Sequence, residues 1–431
     1  MFGLSALPGP DEWERFRFYA RRVRSLVCDY PDDPFGIELR HKTSTRLLAE
    51  LSISRPPTIL LPNLQQLTWL DRRKHAQSHI SLFLSPTLTT LFVSIRSNTW
   101  AKRLYNLLYS HRTSLRNIEI FGPRLSPSRS TRAPFSKVLA TWLDLTDLNF
   151  RNGHAISVSD LAVLAKCRRL QKLAASFLCD SKPPTLRGKL STQEVCFPSL
   201  QCFYVKLLNP AALPHIAEMI GAIRSQHFEE LTARFHFPGP AQELLKALIA
   251  HAQFKKLTLM GPIGSDSVGT SATLDPVFQL SNLTDFTLSA TTNTRLTRPV
   301  LHKMAHSWPK IKNLSWRHSY DSKTPPLDIS DLQILAQCCP DLTYIFIPFH
   351  STLNDDCTLD APTRRASDVP LSVAHESCRF DNAMATAVYL SSMFPAVDIV
   401  LTRWPPESDD LKKAVDFVKR LRAQERMYNA S

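Results

Sequence analysis

LTDFTL at residues 283–288 and FKKLTL at 254–259 share one pattern, with apolar residues at the first, fourth and sixth places and polar residues between them. Alternation with a period of two puts the fourth and sixth side chains on one side of a short strand. The third, fifth and seventh then stand on the other side. Outward from this pair, the pattern opens at Leu64, Leu88, Leu115, Leu145, Leu170, Leu200, Phe228, Phe254, Leu283, Ile311 and Leu342, eleven times with steps of 24 to 31 residues. Each block predicts one strand, and the residues between blocks predict a return segment. A unit this short cannot bury its apolar side alone and has to stack on its neighbours.

The spacing lies in the range of leucine-rich repeats. The expected fold is therefore an α/β leucine-rich-repeat solenoid, right-handed, with parallel strands on the concave face and helices and loops on the convex face. Residues 1–62 are expected to form an N-terminal cap helix and a degenerate first repeat. Asp11 is read as the N-cap of DEWERFRFYARR, VRSLVC as the first strand and STRLLAELSIS as a second helix. Residues 63–349 hold the irregular repeats, 350–376 a mobile loop insertion, and 377–431 the last repeat and a capping helix with an apolar stripe of Leu411, Val415, Val418 and Leu421. Further polar loops are expected at 121–134, 180–194 and 264–273. The clearest return segments, 158–173 and 329–345, are read as helices opening on Ser159–Asp160 and Ser330–Asp331. They close on Cys167 and on Cys338–Cys339, where a small buried residue fits the turn.

Apolar content of 43% supplies a core, while 11 Gly and 31 Pro favour repeat turns over glycine-cradled nucleotide sites. No apolar run approaches the ~18 residues needed to cross a bilayer, and MFGLSALPGPDEWE lacks the basic and apolar regions of a signal peptide. Nine cysteines, odd in number and without paired spacing, read as reduced thiols, so the expected location is the cytoplasm or nucleus. Charge is uneven: residues 51–200 carry 21 Lys/Arg against 7 Asp/Glu, and so hold the whole net charge of +14. Such asymmetry marks either an acidic partner or simple solubility.

No nucleotide loop, nucleophile elbow, zinc-protease or kinase signature is present. His302 and His306 share an i, i+4 spacing without a third ligand. The expectation is a non-enzyme without cofactor or metal. A parallel sheet instead offers rows of outward residues, one per repeat, about 4.8 Å apart. Aromatic and basic residues on such a face are the usual composition of binding hot spots. The candidate partner-binding residues are Phe92, Phe121, Arg151, Lys172, Tyr204, Lys206, Arg234, Lys256, Tyr344 and Phe346. The patch from Phe121 to Arg234 is expected to be the main one. RRAS at 364–367 and SPSR at 126–129 make Ser367 and Ser126 candidate phosphorylation sites.

WERFRFYARRVRSL (13–26), the irregular repeats, LAQCCPDL (335–342), MFPAVDIVL (393–401), Trp404 and RLRAQERM (420–427), in that order, resemble fungal-type F-box proteins with leucine-rich repeats. The resemblance implies a substrate-recognition subunit of an SCF-type ubiquitin ligase. In that family an F-box grips a Skp-type adaptor and the repeats receive the protein substrate. This sequence departs from the pattern at the F-box itself: no LPxE opening or run of Leu/Ile helices precedes residue 13. The expected partner is an acidic or phosphorylated protein, and a Skp-type adaptor is expected only if an F-box is encoded upstream. The chain as written is expected not to bind the adaptor. The alternatives are a free-standing interaction scaffold and, less favoured, a binder of nucleic acid or anionic surfaces through residues 51–200. No membrane partner is expected.

Overall fold

In the computed structural model the structure describes residues 9–28, 45–54, 59–70, 77–95, 97–111, 114–122, 135–151, 155–177, 196–237, 241–262, 274–290, 296–318, 327–351, 371–375, 379–380, 382–394, 397–401 and 407–430. The chain divides into two compact units, Met1–Val205 with Ala222–His227, and Lys206–Gly221 with Phe228–Ser431.

In the first unit, strands β1 (Ser25–Cys28), β2 (Gln66–Trp69), β3 (Thr90–Ser94), β4 (Asn117–Phe121), β5 (Asp147–Arg151) and β7 (Lys172–Phe177) pair in that order, and β6 (Ala155–Ile156) pairs with β7. All these pairings are parallel. Strand β8 (Cys202–Leu207) starts in the first unit and ends in the second. In the second unit the parallel order is β9 (Glu230–Phe235), β10 (Lys256–Gly261), β11 (Asp285–Ala290), β12 (Asn313–His318), β13 (Tyr344–Phe346), β15 (Leu371–His375) and β17 (Val397–Leu401). A separate parallel pair joins β14 (His350–Ser351) to β16 (Arg379–Phe380). The stretch 350–376, expected as a loop, thus contributes a strand at each end, and residues 352–370 lie outside the described ones.

The apolar places of the repeat are the core. Leu64, Leu67 and Trp69 of the first block are fully buried, as are Phe228, Leu231 and Ala233 in the second unit and Leu257 and Leu259 one repeat later. Leu148, Leu173, Leu314 and Ile345 are buried as well. One carbonyl per repeat then latches the next. The Thr89 carbonyl accepts the N–H groups of both Arg116 and Asn117, at 2.8 and 3.0 Å, and Lys255 does the same for Thr284 and Asp285 at 2.8 and 3.0 Å. This doubled bond uses both lone pairs of the oxygen and fixes the register at each strand entry. Parallel strands, a buried apolar row and return segments between them make the fold an α/β leucine-rich-repeat solenoid.

Helices occupy the return segments: α1 (Pro10–Ala20), α2 (Thr45–Ser54), α3 (Asn98–His111), α4 (Val158–Leu164), α5 (Leu213–Ala222), α6 (Gln242–Leu248), α7 (Arg298–Ser307), α8 (Gln333–Cys338), α9 (Ala383–Met393) and α10 (Glu407–Ala430). In α1 the N-cap is Gly9 rather than Asp11. Pro10 takes the first helical place, where its missing N–H costs nothing, and Glu12 accepts the Gly9 N–H at 2.8 Å. Similarly, α4 is capped by Ser157, not Ser159, because Asp160 then stands at the third helical place. There it accepts the Ser157 N–H at 2.9 Å while its own N–H reaches the Ser157 hydroxyl at 3.3 Å. In α10, Val415 and Val418 are buried, but Leu421 is 43% exposed, which takes it out of the expected stripe.

Three residues before the blocks that open at Leu145, Leu170, Leu200, Ile311 and Leu342, the turn holds a buried side chain of varying shape: Trp142, Cys167, Phe197, Trp308 and Cys339. The Cys167 thiol lies 3.6 Å from the Trp142 carbonyl, and the Cys339 thiol 3.8 Å from those of Ala305 and Trp308. Burial pushes the Cys167 thiol up to about 11. Since the thiolate is the reactive form, native Cys167 is expected to alkylate about 100-fold more slowly than an ordinary thiol near pH 8 and to accelerate as pH rises. Mass-spectrometric labelling against pH checks this, and fast labelling of Cys167 at neutral pH would contradict it.

At the end of β10, Gly261 has φ of 106°, and a Cβ there would lie 2.1 Å from the Phe235 carbonyl oxygen on β9. Only glycine tolerates both the backbone angle and the approach. Gly261→Ala is expected to cost about 1–3 kcal/mol of stability, read by urea denaturation.

Candidate binding face on the strands

Register places the outward residues in three rows. In the first unit the row at the strand entries is Gln66, Thr90, Asn117, Asp147 and Lys172. The central row is Thr68, Phe92, Glu119, Asn149 and Ala174. At the strand exits Ser94, Phe121 and Arg151 are neighbours. In the second unit the entry row is Glu230, Lys256, Asp285, Asn313, Tyr344 and Ser372. The central row is Thr232, Thr258, Thr287, Ser315 and Phe346, and the exit row is Arg234, Met260, Ser289 and Arg317.

The entry rows satisfy much of their polarity internally. With its amide group turned to Asp147, Asn117 donates to that carboxylate at 2.8 Å. On the next row Asn149 donates to Glu119 at 3.2 Å. In the second unit Asn313 donates to Asp285, whose other oxygen accepts from the Thr284 hydroxyl at 2.7 Å. These amide–carboxylate ladders repeat across strands because equivalent positions are one strand spacing apart. They leave the Asp147 and Asp285 charges partly compensated by donors within the sheet.

The exit row of the second unit is different. Arg234 and Arg317 are exposed, and neither makes an ion pair among the described residues. Met260 and Ser289, half-buried, stand between them. The Arg317 guanidinium lies over the Phe346 ring, 4.7 Å from its centroid, a cation–π contact that holds the side chain in place. Beside it, Ser315 is 5% exposed and its hydroxyl oxygen is buried without a hydrogen-bond partner. Sequence reasoning missed the hydroxyl row Thr232, Thr258, Thr287 and Ser315. Its signal was a hydroxyl at the fifth place of four consecutive blocks.

The candidate residues divide between the units. In the first, Phe92, Phe121 and Tyr204 are half-buried and Lys172 is exposed. Arg151 stands beside Phe121 by register, and its side chain lies outside the described ones. In the second, Arg234 and Lys256 are exposed and Tyr344 is half-buried. Lys256 stands between Glu230 and Asp285 rather than in a basic patch. Two expectations are corrected. Lys206 is 7% exposed, and Val205 and Leu207 on either side are buried too, so side chains of both faces are withdrawn from solvent there. Phe346 is 3% exposed beneath Arg317, so it supports a contact residue rather than being one. Ser126 and Ser367 lie outside the described residues.

The His306 ring nitrogen is 2.8 Å from the His302 carbonyl, so that ring is engaged by its own helix backbone. Among the described residues no group of three or more His, Cys, Asp or Glu is arranged to hold a metal ion. No helix among them is long and apolar enough to cross a membrane.

No family model matches the sequence, and no curated protein does. Among solved structures, the chain is similar to the TLR13–ssRNA13 complex at 12% identity and a TM-score of 0.38, over 82% of this chain and 52% of that one. It thus spans about half the length of that chain. It is also similar to the Rad7–Elc1 complex of yeast at 11% identity and a TM-score of 0.33, over 77% of both chains.

Proposed function

We propose that this chain is a binding protein whose strand face receives an acidic or phosphorylated segment of another protein, as the substrate-recognition part of an SCF-type ubiquitin ligase does. The observation that carries the reading is the strand-exit row. It presents Arg151 by register in the first unit and exposed Arg234 and Arg317 in the second, with no Asp or Glu among its described positions. Within each unit, a segment carrying carboxylates or phosphates meets attraction at these arginines, whereas a basic segment is repelled. The sequence resemblance to F-box proteins with leucine-rich repeats supports the ligase link, which requires an F-box encoded upstream to reach a Skp-type adaptor. On this reading the chain performs no catalysis and needs no cofactor.

A free-standing scaffold uses the same face without an adaptor. Binding of nucleic acid or an anionic surface through residues 51–200 is the less favoured reading, since many of those cations lie off the strand rows. The discriminating experiment measures the intact protein against acidic phosphopeptides and against single- and double-stranded nucleic acid of equal charge, across a salt series. The proposal expects the peptides to bind more tightly and Arg234→Glu to weaken them. Tighter nucleic-acid binding, with a steep salt slope and indifference to Arg234→Glu, would overturn it.

A further inference from the structure

Resting on that reading, we infer that the second unit takes an extended segment of the form anionic–x–apolar–x–anionic, laid across strands β9 to β12. Arg234 and Arg317 are separated by three strand steps, with Met260 and Ser289 on the two intervening strands. Three steps at ~4.8 Å span about 14 Å. In an extended chain residues rise ~3.3–3.4 Å each and side chains alternate, so residues four apart are about 13–14 Å apart and point the same way. Two apart reach only about 7 Å, and six apart overshoot at about 20 Å.

The residue midway between the two anions also points at the sheet, and it falls over Met260 and Ser289. Met260 offers a deformable apolar contact there, which suits an aliphatic side chain. Beside the segment, on the same face, runs the row Thr232, Thr258, Thr287 and Ser315. Arg317 is ordered in advance by Phe346, so less side-chain freedom is lost when it engages that anion. Arg234 carries no such restraint and tolerates the other anion less exactingly.

The test uses the full chain and fluorescent ten-residue peptides, otherwise uncharged, with a central Leu and two phosphoserines placed two, four or six residues apart. Parallel sets carry Asp in place of phosphoserine, or Ser in place of the central Leu. The four-residue spacing is expected to bind at least tenfold more tightly than the other two, and the Leu→Ser peptide several-fold more weakly. Arg317→Ala and Arg234→Ala should each erase the spacing preference, while Phe346→Leu should blunt it with the fold intact by circular dichroism. An equal response of the Asp peptides would assign the site to carboxylates, and their loss to phosphates; both sustain the spacing. Equal affinity for all spacings would overturn this inference while leaving an acidic-segment receptor in place. No binding of any anionic peptide would overturn both.

Discussion

Leu257→Ala is expected to lower the unfolding free energy by about 2–5 kcal/mol, the range for deleting a fully buried leucine in a core that relaxes only in part. Leu257 is fully buried on β10, in register between Leu231 on β9 and Phe286 on β11, both also fully buried. Removing its side chain leaves a void bounded by parallel backbone that is latched on both sides, at Glu229 and Lys255 carbonyls, and cannot close around it. Urea denaturation gives the value. Lys256→Ala is the internal control: one residue earlier on the same strand, exposed, it should change stability by less than ~0.5 kcal/mol. Similar losses for the two variants would mean that the apolar row is not the core.

Reversing Arg234 and Arg317 together to Glu is expected to slow association with an acidic protein partner about tenfold or more at low salt. The exit row would then carry two negative charges where it carried two positive ones, so long-range attraction becomes repulsion. Near 1 M salt, where the Debye length falls to ~3 Å, the effect on the association rate should largely disappear. Both side chains are exposed, so stability should fall only by the lost Arg317–Phe346 contact, about 0.5–1 kcal/mol. Lys206→Glu makes a useful contrast: at 7% exposed, it should disturb folding rather than association rate. Stopped-flow association of the double variant at two salt concentrations decides the matter, and an unchanged rate at low salt would assign the arginines to solubility.

Much of this architecture is legible from the spacing of apolar residues, because burial of one strand side leaves a period of two that no helix imitates. The rows follow directly, since register is set by the same residues. Exposure within a row does not follow. Lys206 and Phe346 occupy outward places like Lys256 and Tyr344, yet both are buried, Phe346 beneath the Arg317 guanidinium. Local pattern carries no information about what another segment lays on top. The caps of α1 and α4 stand two residues before the expected ones, for a related reason. Ser157 and Ser159 are equally good caps in isolation, and only the reach of Asp160 back to Ser157 selects between them.

The doubled bond from one carbonyl per repeat has a consequence for how such a surface can change over generations. Register is written into backbone atoms and the apolar places, so an outward residue belongs to neither. A substitution at Met260 or Ser289 edits a single point of the surface while its neighbours keep their places. Insertions are tolerated in return segments, where steps already vary from 24 to 31 residues, and the strand entries absorb none of the difference. Within a unit the molecule behaves as a type tray: the slots are fixed, and the characters set in them can be replaced one at a time.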